Sequence, residues 1–127
     1  MEGGKINFLE RISNAEVIEK ETIQMLKSHT QGDHTILKDL FDSFNEDAGM
    51  MCDEIISAAG KKDFEALRKT AHSLSGTSGS VGAEKLKELS RIIENAVKKQ
   101  NYAEAVEASA HIKNVFLEFR KQLREIF

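Results

Sequence analysis

The 127-residue chain has no proline, no tryptophan and one cysteine, and only 6% of its residues are aromatic. Each shortage excludes something. Without proline, helices must be stopped by glycine, polar turns or caps rather than by a ring that blocks the backbone. A single thiol, Cys52, forms no internal disulfide, and a reducing cytoplasmic interior is the natural expectation. It also leaves no cysteine pair for a zinc cluster. No apolar run approaches the roughly 20 residues that span a bilayer, and no charged-then-apolar leader precedes a cleavage site. A net charge of −3 speaks against nucleic acid as the main partner.

What is present is the composition of a soluble domain: 40% hydrophobic and 31% charged residues, enough for one core. Charge is unevenly spread. Residues 39–54 hold six acids and no base, whereas residues 61–85 hold five bases against three acids. The second segment is therefore the basic part of an acidic protein, suited to an acidic partner.

Apolar residues recur at spacings of three and four throughout, which predicts an all-α chain. Residues 1–12 are hard to assign, although Ile6, Phe8, Leu9 and Ile12 are expected to pack. Ser13-x-x-Glu16 reads as a capping box opening a first helix with Ile18, Thr22, Met25 and Leu26 on one face. "TQGD" breaks it, and Asp33 is positioned to cap a long second helix. Its stripe runs Ile36, Leu37, Leu40, Phe41, Phe44, Ala48, Met51, Ile55 and Ala59 to Gly60, with Cys52 a half-buried filler at the edge. A third helix after Asp63 turns Phe64, Leu67, Ala71, Leu74 and Ser78 inward. After "SVGA" a fourth uses Leu86, Leu89, Ile93, Ala96 and Val97. Asn101-x-x-Glu104 opens a last one through Tyr102, Ala105, Val106, Ser109, Ile112, Phe116, Phe119 and Leu123. Short connections favour antiparallel neighbours. The expectation is an up-and-down four-helix bundle over 33–127, with residues 1–32 as an N-terminal helical extension.

The stretch "AHSLSGTSGSVGA", residues 71–83, carries the chemistry. At about 100° per residue, His72 falls roughly 130° from the inward sector of the third helix and should face solvent. Gly76 and Gly79 lie one and two turns on, flanking it by roughly 40° and 20°. A glycine inside a helix costs about 1 kcal/mol relative to alanine, so two on one polar face ask for a reason. Bare surface beside an exposed imidazole lets a concave partner enclose the ring. Close helix packing is the competing explanation, but it would turn the glycines toward the core. Gly82 reads as part of the turn.

Other chemistries find no support. The glycine spacing matches neither a dinucleotide fingerprint nor a phosphate loop. His29 and His34 flank a helix break, and His111, about 140° from the core face of the last helix, reads as solvated. No spacing specifies a nucleophilic triad or a carboxylate pair. Neither a metal nor a cofactor is expected.

This stretch resembles the signature of histidine-containing phosphotransfer (HPt) domains: a histidine, a leucine two positions on, a glycine four on, and further glycines before the next helix. The similarity extends from "ILKDLFDSFNEDA" through "KKDFEALRKTAHSL" to the final helix. The resemblance implies the family's four-helix bundle, His72 as phosphoacceptor, and no kinase activity. It implies response-regulator receiver domains or a hybrid histidine kinase as partners, passing a phosphoryl group from one receiver aspartate to another. A monomer is expected, with no nucleic acid and no membrane. The family usually has lysine three residues after the histidine, where this chain has Ser75. Arg68 and Lys69, one turn before His72, are the candidates to offset phosphate charge, and Ser75, Gly76 and Gly79 the candidates to face phosphate or partner. The other reading is a receiver-docking module that works without phosphorylation.

Overall fold

The computed structural model describes residues 10–126, so the expectation for Ile6, Phe8 and Leu9 lies outside the described residues. Six helices follow a short helical stretch at 10–14: α1 Lys20–His29, α2 His34–Lys61, α3 Phe64–Ser80, α4 Glu84–Lys98, α5 Tyr102–Ser109 and α6 Ile112–Ile126. There is no strand among the described residues. The four-helix architecture holds, with α2, α3, α4 and the α5–α6 pair as its members and α1 in addition.

The caps on the long helices form where the sequence indicates. Asp33 accepts hydrogen bonds from the backbone N–H groups of Thr35 and Ile36, Asp63 from that of Ala66, and Asn101 from that of Glu104. Each satisfies donors that the first helical turn leaves without intrahelical partners. Lys62, left-handed at φ 58°, closes α2.

The first helix does not start at Ser13. That residue is already helical, and its hydroxyl donates to the Glu10 carbonyl at 3.0 Å. A serine bonded back to its own turn is not available as a cap. Instead α1 begins after Glu19, whose N–H donates to the Gly82 carbonyl at 2.7 Å, while the Thr22 hydroxyl donates to the Glu19 carboxylate. Ile18, Thr22 and Ile23 are buried, Leu26 is partly so, and Met25 is 49% exposed rather than inward.

The core follows the stripes of α2, α3 and α4 closely. Leu37, Phe41, Phe44, Ala48, Ile55, Leu67, Ala71, Leu74, Leu86, Leu89, Ile93 and Ala96 are buried. Ile36 and Leu40, expected inward, lie exposed at the edge of the stripe. Cys52 is fully buried rather than half-buried, and burial pushes its thiol up to about 12.

The last helix is two. Ala110 and His111 form a turn between α5 and α6, and the Ser109 hydroxyl donates to the Ala105 carbonyl at 2.7 Å. Such back-bonding bends helices, and the Ala110 N–H is shared between the Val106 and Glu107 carbonyls. The break shifts the phase of the apolar stripe. Ala105, Ala108 and Ser109 now face inward, while Tyr102 and Val106 are exposed. Tyr102 stacks on Phe64 with ring centroids 4.1 Å apart. His111 is half-buried rather than solvated.

Two antiparallel registers set which side chains meet across the bundle. Between α3 and α4, His72 meets Glu94 and Gly79 meets Lys87. Between α2 and α6, Asp53 meets Lys113 at 2.7 Å, and the Phe44 and Phe119 rings meet edge to face at 5.3 Å.

Candidate functional site

α3 buries Leu67, Ala71, Leu74 and Ser78, so His72, one position past Ala71, is turned outward. Its side chain is 72% exposed. The imidazole is nevertheless fixed on one side: Nδ1 lies 2.8 Å from Oε2 of Glu94 on α4. Glu94 is 7% exposed and sits among the buried residues of its helix. Burial pushes its carboxyl up, but hydrogen bonds from His72 and Lys98 outweigh that and hold it below its ordinary value. Glu94 is thus an anion at neutral pH. An anionic carboxylate accepts only, so Nδ1 is the donor and Nε2 carries the lone pair. The outward nitrogen of that tautomer is the one with a lone pair open to solvent.

The same Glu94 oxygen accepts from Lys98 Nζ at 3.2 Å, which places a cation beside the imidazole. Arg68 and Lys69 are engaged otherwise. Arg68 holds Glu65 through two hydrogen bonds of 3.3 and 3.1 Å, and Lys69 lies 3.7 Å from the same carboxylate. The bond to Glu65, its charge, and then the Glu94 charge raise the Arg68 pKa. The local set is therefore His72, Glu94, Lys98 and, at its border, Arg68.

The sequence candidates separate by their surroundings. Gly76 lies at the surface, and a Cβ added there meets nothing within 4 Å. Gly79 is different: an added Cβ would lie 3.1 Å from Cδ of Lys87. Its bare backbone makes room for a lysine stem crossing from α4 rather than leaving open surface. Lys87 Nζ itself pairs with Glu84 at 3.1 Å. Ser75 does not stand on the open face; it is 8% exposed. Position 75 follows Leu74 toward the bundle, so a serine there puts nothing on the outer surface.

Sequence reasoning does not find Glu94 and Lys98. The signal for them is faint. Glu94 is a carboxylate directly after Ile93 of the apolar stripe, and a buried acid demands partners; Lys98 follows it at the favourable i,i+4 spacing. Among the described residues no three His, Cys, Asp or Glu side chains gather to hold a metal ion. No helix of the described chain is long and apolar enough to cross a membrane.

With the geometry in place, similarity to known proteins adds the family. The Hpt domain profile matches residues 36–126. The fold is similar to histidine-containing phosphotransfer protein B from Pseudomonas aeruginosa PAO1, with a TM-score of 0.75 and 23% identity, covering 87% of this chain and 96% of that one. It is also similar to a histidine-containing phosphotransfer protein from maize, with a TM-score of 0.74 and 23% identity over 86% of this chain and 81% of that one. The Hpt domain of a sensor hybrid histidine kinase from Shewanella has a TM-score of 0.57 and 18% identity, covering 80% of this chain and 92% of that one. No curated protein sequence matches the chain.

Proposed function

The chain belongs to the Hpt domain family, and on that premise we propose that it is a phosphorelay intermediate in which His72 takes a phosphoryl group from a receiver-domain aspartate and hands it to another. Phosphotransfer in two-component signalling is the role of the family; the assignment of His72 and the direction of flow are the proposal. One observation carries it. An exposed imidazole on α3 has its inner nitrogen bonded to a buried carboxylate, which leaves the outer nitrogen to attack.

The step balances without further groups. The Nε2 lone pair forms the N–P bond as the P–O bond to the donor carboxylate breaks, and the carboxylate leaves with that electron pair. Positive charge develops on the ring while Nδ1 keeps its proton. Glu94 faces that charge at 2.8 Å, and such pre-placed opposite charge lowers the barrier most where water is displaced. Lys98, on the same oxygen, is a cation beside the ring that can answer the phosphoryl charge in a chain with serine at position 75. In-line placement and charge neutralisation are what phosphoryl transfer chiefly requires.

The test is incubation with a phosphorylated receiver, followed by a search for an acid-labile, base-stable phosphoryl group. It is expected on native protein and absent from His72→Gln. The serine at 75 favours a second reading, a receiver-docking module without transfer. Tight receiver binding by the native protein with no label on it is the result that selects it.

A further inference from the structure

The border between α3 and α4 holds one more cation, on the far side of the imidazole from Lys98. The antiparallel register fixed by His72–Glu94 and Gly79–Lys87 puts Arg91 level with Ser75 and Lys98 level with Arg68. Positions 87, 91, 94 and 98 follow at intervals of four, three and four, so they form one strip of α4 beside α3. Arg91 thus lies one turn from Glu94 in one direction, and Lys98 one turn in the other. Three residues of helix are about 4.5 Å long, and neighbouring helix axes stand about 8–10 Å apart. A side chain as long as arginine's spans that offset to the outer face of His72.

Arg91 differs from the other cations on this border in what it holds. Arg68 and Lys69 share Glu65, Lys87 has Glu84, and Lys98 has Glu94. Arg91 is exposed and has no carboxylate partner among the described residues. Glu88, three residues before it, is taken by Arg11 at 2.8 Å. The path from Arg91 to the ring is also clear. Ser75 is 8% exposed, and a Cβ at Gly76 would meet nothing within 4 Å. In the resting protein this guanidinium neutralises nothing.

We infer that Arg91 grips the phosphoryl group on Nε2 of His72, reaching across the bare surface at Gly76. The inference rests on the proposed role of His72 as phosphoacceptor and adds a residue that touches the group transferred. A phosphoryl group brings negative charge and three strong acceptor oxygens. The planar guanidinium offers them a fork of paired N–H donors. Lys98 must share itself with Glu94, whereas Arg91 gives up no ion pair when it turns. The phosphoryl charge is then answered from both sides, by Lys98 from the level of Arg68 and by Arg91 from the level of Ser75.

The test uses phosphoramidate, a small donor that labels histidine without a receiver. The Nε2 lone pair forms the N–P bond as the P–N bond of the N-protonated donor breaks, and ammonia leaves with that electron pair. Label is followed residue by residue by mass spectrometry, with the exposed His34 as an internal control. Arg91→Gln should slow labelling of His72 by about three- to tenfold and leave that of His34 unchanged. The effect stays below the roughly hundred- to thousandfold of a donor shielded from water, because this site is open. Arg91→Lys, which keeps the charge without the fork, should recover part of the rate. The melting temperature should not move, since Arg91 has no partner to lose. A native rate at His72 in Arg91→Gln overturns the inference, as does a fall that Arg91→Lys leaves in full or that His34 shares. No label on native His72 from either phosphoramidate or a phosphorylated receiver overturns both this inference and the relay. If labelling by phosphoramidate depends on Arg91 but no receiver labels the chain, the relay falls and the Arg91 contact stands.

Discussion

The middle of α3 and the turn at its end carry the same residue type and use it in opposite ways. At Gly76 the absent side chain leaves open space beside His72. At Gly82 it makes room for something that is there: an added Cβ would lie 3.1 Å from both the Glu19 carbonyl oxygen and Thr22 Cβ, and the backbone is left-handed at φ +79°. The first glycine weakens its helix and leaves bare surface, which under the proposed phosphotransfer gives access to His72. The second is required by the fold, because α1 is tethered to its carbonyl. A sequence shows two glycines; only their surroundings say which one stands in the open and which is packed against the fold.

The largest effects separate the two regions completely. His72→Gln should abolish labelling at little cost in melting temperature, since a glutamine amide can still donate to Glu94 and Lys98 keeps its pairing with that carboxylate. Gly82→Ala should do the reverse. A left-handed non-glycine residue costs about 1–2 kcal/mol, and contact with a backbone oxygen, which cannot rotate away, adds about as much again. Denaturant unfolding is expected to show a loss of about 2–4 kcal/mol, with labelling per folded molecule unchanged. A Gly82→Ala protein as stable as the native one would mean that α1 is not held at this turn.

Next in size is Glu94→Gln, which keeps the shape but removes the anion facing the ring. The rate of label transfer to His72 should fall by about ten- to a hundredfold, at or below the lower end of the roughly hundred- to thousandfold that one pre-placed electrostatic group supplies, because glutamine keeps a hydrogen-bond acceptor facing the ring. The pH dependence of stability has a definite sign. The folded Glu94 carboxyl lies below its ordinary value, so its contribution is present above the unfolded value of about 4.3 and is lost as pH falls through the lower folded value. Native and Glu94→Gln proteins should therefore differ most near neutrality and converge in melting temperature in acid. Curves that stay parallel down to about pH 3, below the unfolded value, would show that Glu94 is not held as an anion by His72 and Lys98.

Gly76→Gln tests access directly. A better helix former at an open, exposed position should stabilise the bundle by up to about 1 kcal/mol, yet transfer should slow several-fold because a side chain now stands beside the ring. A variant that is both more stable and equally fast would show that this glycine does not clear the imidazole.

Much of the fold and part of the site are legible in sequence, and the exceptions share a physical cause. The stripes of α2, α3 and α4 and the caps Asp33, Asp63 and Asn101 are local patterns, set by residues a few positions apart. So is the outward phase of His72. Glu94, Lys98, Ser75 and Gly79 take their roles from the neighbouring helix or from the bundle interior, which periodicity along one helix does not reveal. The α5–α6 break is hidden because no proline or glycine marks it; a serine hydroxyl bonded back to its own helix is a weak signal, and Ser13 misleads for the same reason. Burial of Glu94 in particular inverts the usual inference that an acid beside an apolar stripe faces water.

The smallest expected effect lies at Gly79, between the middle of α3 and its closing turn. On the wheel it flanks His72 as closely as Gly76 does, which argues for access. In space it is covered by the stem of Lys87, with Cδ 3.1 Å from where a Cβ would stand, which argues for packing. The contact is with the flexible part of a lysine rather than with backbone, so the stem can move by a few tenths of an ångström at little cost. Replacing glycine by alanine within a helix stabilises by about 1 kcal/mol, and displacing Lys87 from its 3.1 Å pairing with Glu84 gives back part of it, because exposed pairs are worth only about 0.2–1 kcal/mol. Gly79→Ala should therefore change stability by less than about 1 kcal/mol. It should leave transfer near native, because a methyl tucked under Lys87 adds nothing beside the ring. Lys87→Ala supplies the second half of the test: with the stem gone, Gly79→Ala should recover the full alanine gain. If Gly79→Ala instead slows transfer as much as Gly76→Gln while stability rises, Gly79 belongs with Gly76 among the residues that clear the imidazole.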